Sequence, residues 1–334
     1  MKIIVRVPNW IGDSILAMPA IFGLKKNYPE SEIWIAAPDW VRDLFEPLEV
    51  ISGVVSLDQP RSLRGLKESA RNIGRHGFDA GLLLPNSFVS ALLFFLARIP
   101  QRWGYGTDGR SLMLTKRVST KRKGGESHQV HYYLDLIAGL GLETHPPHLS
   151  LPVTEETRSE AKAILSANHI TLKKPVIILN PGGHYGPAKR WPVPNFGRVS
   201  SLLQEEDEYE FILIGSQAEK PLAEDLASRM KSPPLNLTGR TTLGQLTGII
   251  SLSNLFITND SGPMHIANAL GIPVIGIFGP TRPKITGPFQ PPCAVLHKEA
   301  ACWPCSYRAC PLDHRCMLSI SPEEVFSACL RYLR

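Results

Sequence analysis

Several short stretches of this chain carry residues whose types and spacing suit chemistry. The first is Pro8-Asn9-Trp10-Ile11-Gly12-Asp13, a turn between an apolar, β-branched run and a helical pattern that begins at Ser14. A carboxylate there has two jobs open to it. It can cap a helix and favour its dipole, or it can serve as a base at the C-terminal edge of a parallel sheet, where ligands bind. The second stretch is NPGGHYGPAKRW, residues 180–191. Gly182 and Gly183 let backbone N–H groups approach a ligand, and Lys189 and Arg190 bring positive charge behind them. This reads as an anion site, with phosphate as the expected ligand, or as an ordinary Gly-rich turn. The spacing is neither that of a Walker A loop nor G-x-G-x-x-G. The third is TNDSGPMH, residues 258–265, where a strand enters a tight turn and Pro263 suits the start of a helix. The free N–H groups of such a turn stabilise a diphosphate. Asp260 would repel phosphate, so it is expected to bind loop N–H groups and leave Ser261 and Gly262 to the ligand. His265 is either a phosphate donor or a buried structural histidine. In the fourth, IGSQAE, Gln217 or Glu219 could hydrogen-bond ribose hydroxyls or cap the helix that follows. A fifth turn, Phe278-Gly279-Pro280-Thr281, closes another strand at the same edge.

The elements that must position these stretches alternate. Strand-like runs are expected at 3–7, 33–37, 53–57, 80–84 and 102–105, with helical patterns at 14–27, 40–45, 63–75, 87–97 and 128–140. A polar, Pro-containing passage, Thr144-His145-Pro146-Pro147 to Leu151-Pro152-Val153, looks like an interdomain connection. A helix at 155–167 follows it. The alternation then restarts, with strands at 175–179, 211–214, 235–237, 255–258 and 274–278 and helices at 193–204, 220–230, 243–252 and 263–270. This βα alternation predicts an α/β protein with two Rossmann-like, doubly wound domains facing a central cleft. The expected boundaries are 1–153 and 154–320. Ser321-Pro322-Glu323-Glu324 opens a terminal helix over 321–334, expected to pack back on the first domain.

Composition narrows the class. With 334 residues, 43% hydrophobic and 20% charged, the chain is globular and long enough for two cores. Its longest apolar run, Ala91–Ala97, is too short to span a bilayer. Pro8, Asn9, Gly12 and Asp13 interrupt the N-terminal run, so it lacks the form of a signal peptide, and a cytoplasmic protein is expected. A net charge of +6 points to an anionic partner. Nucleic acid is not expected, because no RNA- or DNA-binding signature is present and aromatics do not interleave with the basic residues. Lys116, Arg117, Lys121, Arg122 and Lys123 form a basic stretch, either a solvated loop or an anion contact. Four of the six cysteines, Cys302, Cys305, Cys310 and Cys316, cluster around His314. Only the first pair has zinc-ligand spacing, so reduced structural thiols are favoured over a metal. Cys293 and Cys329 lie apart from the cluster.

Strand-end loops for a phosphate-bearing ligand in one half, and one strand-end carboxylate in the other, resemble the division of labour in GT-B glycosyltransferases. The motifs WIGDSILAMPAI, NPGGHYGPAKRWP and NDSGPMHIANALGIPVIGIFGPT are similar, in order and spacing across nearly the whole chain, to those of glycosyltransferase family 9, the ADP-heptose:lipopolysaccharide heptosyltransferases. The CWPC…C…HRCM tail and the HQVHYYLDL helix are most similar to the heptosyltransferase II branch. The resemblance implies inverting transfer of L-glycero-D-manno-heptose from ADP-heptose to the heptosylated Kdo2-lipid A inner core, at the cytoplasmic face of the inner membrane. It makes the first domain acceptor-binding and the second ADP-heptose-binding. It casts Asp13 as the catalytic carboxylate, Lys189 as the diphosphate-binding lysine, and Asp260, Ser261, Gly262 and His265 as the nucleotide loop. Where the family often has Glu for ribose, this chain has Gln217, with Glu219 as the other candidate. No D-x-D motif lies near a strand end, so no metal and no cofactor are expected. The basic stretch at 116–123 becomes a contact for the phosphorylated acceptor or for anionic headgroups. Alternative expectations are the acceptor specificity of another branch, such as heptosyltransferase I, or a non-catalytic nucleotide-sugar binder.

Overall fold

The computed structural model describes residues 1–57, 62–120 and 127–333. Lys121, Arg122 and Lys123 lie outside the described residues. The chain divides into two compact units, Met1–Leu149 and Ser150–Arg334, a few residues ahead of the expected boundary.

The first unit holds β1 (Lys2–Arg6), β2 (Glu32–Ala37), β3 (Gly53–Ser56), β4 (Ala80–Leu83), β5 (Gln101–Tyr105) and β6 (Lys116–Val118). They form a wholly parallel sheet in the order β3-β2-β1-β4-β5-β6. Ile3, Ile4 and Val5 are fully buried, as a central strand covered by helices on both faces requires. Ile4, Ala36, Val55 and Leu83 share a core cluster with Leu66, Ala70 and Ile73 of the helix Leu63–Gly74 and with Phe94 of the helix Phe88–Leu96.

The second unit repeats the plan with β7 (Val176–Asn180), β8 (Glu210–Leu213), β9 (Leu235–Asn236), β10 (Leu255–Asn259), β11 (Val274–Phe278) and β12 (Cys293–His297). Its parallel sheet runs β12-β11-β10-β7-β8-β9. Read from its other edge, that is the same winding as the first sheet. In each unit the order reverses between the first and fourth strands. Crevices at such switch points, outside the strand C-termini, are where doubly wound sheets bind ligands. The register sets Thr258 of β10 opposite Asn180 of β7.

Several expectations need correction. The helix expected at 14–27 is two helices, Ile11–Leu16 and Met18–Asn27. Pro19 lacks an N–H and so cannot continue the first helix through its bonding pattern; it occupies the first turn of the second instead. Asp13 therefore lies inside a helix's first turn, not ahead of it. The basic pair Lys116-Arg117 belongs to edge strand β6 rather than to a loop. Lys116 Nζ donates to the Leu140 carbonyl at the end of the helix Gln129–Gly139, while Arg117 stays exposed. The terminal helix, Pro322–Leu333, expected against the first domain, belongs to the compact second unit. Val325, Ala328 and Cys329 are buried with Val199 and Leu203 of the helix Val193–Glu206. Its N-terminus is closed reciprocally, Glu324 N donating to Ser321 Oγ at 3.2 Å and Ser321 N to Glu324 Oε2 at 2.9 Å.

Candidate active site

In the first unit, the segments leaving β1 and β4 open onto a cavity of about 510 Å³. Asp13 lines it, with Asn9 and Trp10 from the β1 turn, Asn86 and Ser87 from the β4 turn, and Gln129 and Tyr132 from the helix beyond. The N-cap of Asp13's helix is Trp10, whose side chain makes no cap hydrogen bond. Asp13 thus sits favourably for the helix dipole while facing a ligand-sized space, so the two jobs open to it are compatible.

The cavity wall is braced by buried cations that the sequence did not single out. Arg6 of β1 is 7% exposed, and burial lowers its pKa to about 10, so it stays charged at neutral pH. Its guanidinium reaches Asn9 Oδ1 and the Val7 carbonyl. Arg110 is fully buried, and its pKa is likewise lowered by burial. It donates to the Tyr105 carbonyl at 2.9 Å, to the Pro85 carbonyl and to Asn86 Oδ1. Asn86 Nδ2 in turn donates to the Tyr132 hydroxyl. Beside Asp13, burial first and the Asp13 charge second push the Tyr133 phenol well above its ordinary value. Tyr133 stays a neutral hydroxyl next to the carboxylate. The HQVHYYLDL stretch was the available signal for both tyrosines, and its pattern alone gave them no role.

In the second unit the loops leaving β7 and β10 are fastened to each other across the switch point by two asparagines. Asn180 Nδ2 donates to Thr258 Oγ1 at 3.0 Å and to Ser261 Oγ at 2.8 Å. Asn259 Nδ2 donates to the Pro181 and Gly182 carbonyls at 2.8 and 3.0 Å, and its Oδ1 accepts from Trp191 N at 3.0 Å. Both asparagines lie in the strand-end motifs, where the sequence alone gives them no part. Ser261 is the N-cap of the helix Gly262–Ala269, whose first N–H groups make an anion-favouring end. His265 is buried one turn in, at 4% exposure.

Lys189 and Asp260 form an ion pair, with side chains only 12% and 6% exposed. Asp260 Oδ2 also accepts from Thr281 Oγ1 at 2.7 Å. Asp260 is expected from sequence to bind loop N–H groups; its carboxylate instead takes Lys189 and Thr281. The lysine is held from one side by a carboxylate and lies 4.8 Å from the Tyr185 ring centroid.

Glu219 is also committed. Its carboxylate accepts from Gly183 N at 2.5 Å, and from Ser216 N and Ser216 Oγ at 2.8 Å each. The loops after β7 and β8 are thereby joined. Gly182 is glycine for this reason: a Cβ there would lie 2.2 Å from Glu219 Oε1. Gln217, by contrast, is exposed at the same strand end. The cysteine cluster packs beneath the Lys189 loop. Cys302, Cys305, Cys310 and Cys316 surround a small space that Ala188 also lines, and His314 Nε2 hydrogen-bonds the Ala188 carbonyl at 2.7 Å. Among the described residues, no group of three or more His, Cys, Asp or Glu side chains is arranged to hold a metal ion.

Comparison with known proteins gives these loops a family. The model of glycosyltransferase family 9 (heptosyltransferase) matches residues 67–315. A lipooligosaccharide heptosyltransferase 2 of Campylobacter jejuni is 30% identical, with 97% of each chain covered. Lipopolysaccharide heptosyltransferase 2 of Salmonella typhimurium is 30% identical over 89% of this chain and 88% of its own. Among solved structures, the ADP-heptose lipopolysaccharide heptosyltransferase II of E. coli superposes with a TM-score of 0.86 at 27% identity, covering 100% of this chain and 98% of that one. Two doubly wound units with this likeness place the fold in the GT-B class. By its family match and its near-full-length identity to these relatives, the chain belongs to glycosyltransferase family 9.

Proposed function

We propose that this protein is an inverting heptosyltransferase that moves L-glycero-D-manno-heptose from ADP-heptose to the heptosylated Kdo2-lipid A inner core of lipopolysaccharide, working at the cytoplasmic face of the inner membrane. The observation that carries the reading is Asp13. It is a carboxylate at the switch point of one doubly wound sheet, lining a sugar-sized cavity beside a neutral phenol. The names of the relatives supply the donor and the acceptor class.

In this mechanism Asp13 takes the proton from the attacking acceptor hydroxyl. The amides and aromatic faces of Asn9, Asn86, Trp10 and Tyr132 hold the acceptor sugar. A single displacement inverts the anomeric carbon, and ADP leaves with added charge on its β-phosphate. Lys189, Arg190 and the backbone N–H groups at Ser261-Gly262 meet that charge. Asp260 and Thr281 position the lysine before the donor arrives. Gln217 is the better-placed ribose contact, since the Glu219 carboxylate is already hydrogen-bonded three ways.

The test is ADP release from ADP-heptose with and without heptosyl-Kdo2-lipid A, for the wild type and Asp13→Ala. Acceptor-dependent release by the wild type, lost in the variant while ADP affinity is kept, is the expected result. Release that ignores the acceptor would make the protein a hydrolase. Undiminished turnover in the variant would return Asp13 to helix stabilisation alone.

A further inference from the structure

The helix Phe88–Leu96, FVSALLFFL, carries no charged residue and buries only one side. Ser90, Ala91, Leu93 and Phe94 face the core. Phe88, Val89, Phe95 and Leu96 are 38–49% exposed, and with half-buried Leu92 they make an apolar stripe at helical spacing. The adjoining 3-10 turn Ser111–Met113 adds Leu112, 93% exposed. Isolated apolar side chains on a surface are ordinary, but a contiguous stripe marks an interaction face.

The surroundings of the stripe say what covers it. No carboxylate occurs between Ser87 and Arg102. The Arg102 guanidinium lies 5.4 Å from the Phe95 ring centroid, and exposed Arg98 follows the helix directly. The packed neighbour Leu63–Gly74 adds Arg64, Lys67 and Arg71 against one acid, Glu68, which is paired with Arg64 at 3.0 Å. An apolar stripe framed by cations suits the surface of an anionic bilayer. A second copy of the same face would set these cations against themselves. Val89, Ser90 and Leu93 also line the cavity that holds Asp13.

We infer that the helix Phe88–Leu96 is the membrane-docking element of this protein. It seats in the headgroup region of an anionic leaflet, so that a lipid-anchored sugar meets the Asp13 cavity at the bilayer surface. The inference rests on the lipid-linked acceptor proposed above. The experiment is flotation of the full chain with vesicles of phosphatidylethanolamine and phosphatidylglycerol, against vesicles of phosphatidylcholine alone. The wild type floats with the anionic vesicles, and less so as salt rises. The triple variant Phe88→Gln/Phe95→Gln/Leu96→Gln loses about tenfold or more of that binding, from the apolar area withdrawn. It keeps its turnover on a deacylated, soluble acceptor, which shows that it folds. The charge variant Lys67→Glu/Arg71→Glu weakens flotation in the same direction. A wild type that ignores anionic vesicles, or a triple variant that floats as well as the wild type, overturns the inference. So does a wild-type dimer that the triple variant dissolves with flotation unchanged, which would make the stripe a self-association face. Turnover on the soluble acceptor without vesicle binding would sink the docking surface alone. Vesicle binding without heptose transfer would sink the proposed activity instead.

Discussion

The two units wind their strands in the same order and present loops at the same switch point, yet those loops are built on opposite principles. In the first unit the segments after β1 and β4 leave a cavity of about 510 Å³, walled by amides, aromatics and Arg6, with Arg110 bonded to Pro85 and Asn86 of that wall. In the second, the segments after β7 and β10 are drawn together by Asn180 and Asn259, and the charge they hold is already paired. One site is an open space around a carboxylate. The other is a closed frame around a lysine. The shared winding fixes where a ligand belongs, and the side chains at the strand ends decide which kind.

Substitutions can break this contrast at either end. The largest effect belongs to Asp13→Ala, where loss of a general base lowers kcat by about 10²–10⁴-fold and leaves ADP binding as it was. Titration calorimetry beside steady-state kinetics separates the two. Lys189→Met comes next. Losing one preorganised donor to the leaving group costs about 2–4 kcal/mol of transition-state energy, and leaving Asp260 buried without its partner costs stability of about 3–5 kcal/mol. The double variant Lys189→Met/Asp260→Asn recovers thermal stability but not turnover. If stability stays lost in the double variant, the pair is not what holds the frame.

Asn259→Ala sharpens the comparison from the donor side alone. It removes the Asn259 bonds to the Pro181 and Gly182 carbonyls and to Trp191 N, at about 1–3 kcal/mol for each group left buried and unsatisfied. ADP affinity and melting temperature both fall, while the KM for acceptor holds. The smallest effect is a pH dependence. The folded Tyr133 phenol sits above its ordinary value of 10. The stability this contributes is therefore complete below pH 10 and lost as pH rises through the higher folded value. Tyr133→Phe flattens that part of the alkaline unfolding profile, which wild-type and variant melts between pH 8 and 11 would reveal.

The central strands were legible because burial on both faces leaves an unbroken β-branched run, as in Ile3-Ile4-Val5. Edge strands lack that pressure. β6 is largely polar, and β12 follows a Pro-rich turn with its residues only half covered, so neither was anticipated. The donor loops could be read from glycines, a proline and basic residues at short spacing. Their fastening could not, because Lys189 and Asp260 lie far apart in the chain and only the register of β7 with β10 brings their loops together. A local argument from repulsion sent Asp260 to the backbone, whereas a cation from the neighbouring loop takes it. Arg110 escaped notice for a similar reason. Its partners, Tyr105, Pro85 and Asn86, come from two different strand ends.

The contact between Gly182 and the Glu219 carboxylate has a consequence for how this site can change over generations. A methyl group at 182 collides with the acid, and shortening the acid strips Gly183 N and Ser216 of their acceptor. Each substitution is harmful by itself, but a residue with a side chain at 182 fits once 219 has become small. The two positions are bound by epistasis, so the donor loop can drift only by paired steps, and a library that varies them singly would wrongly score both as immovable.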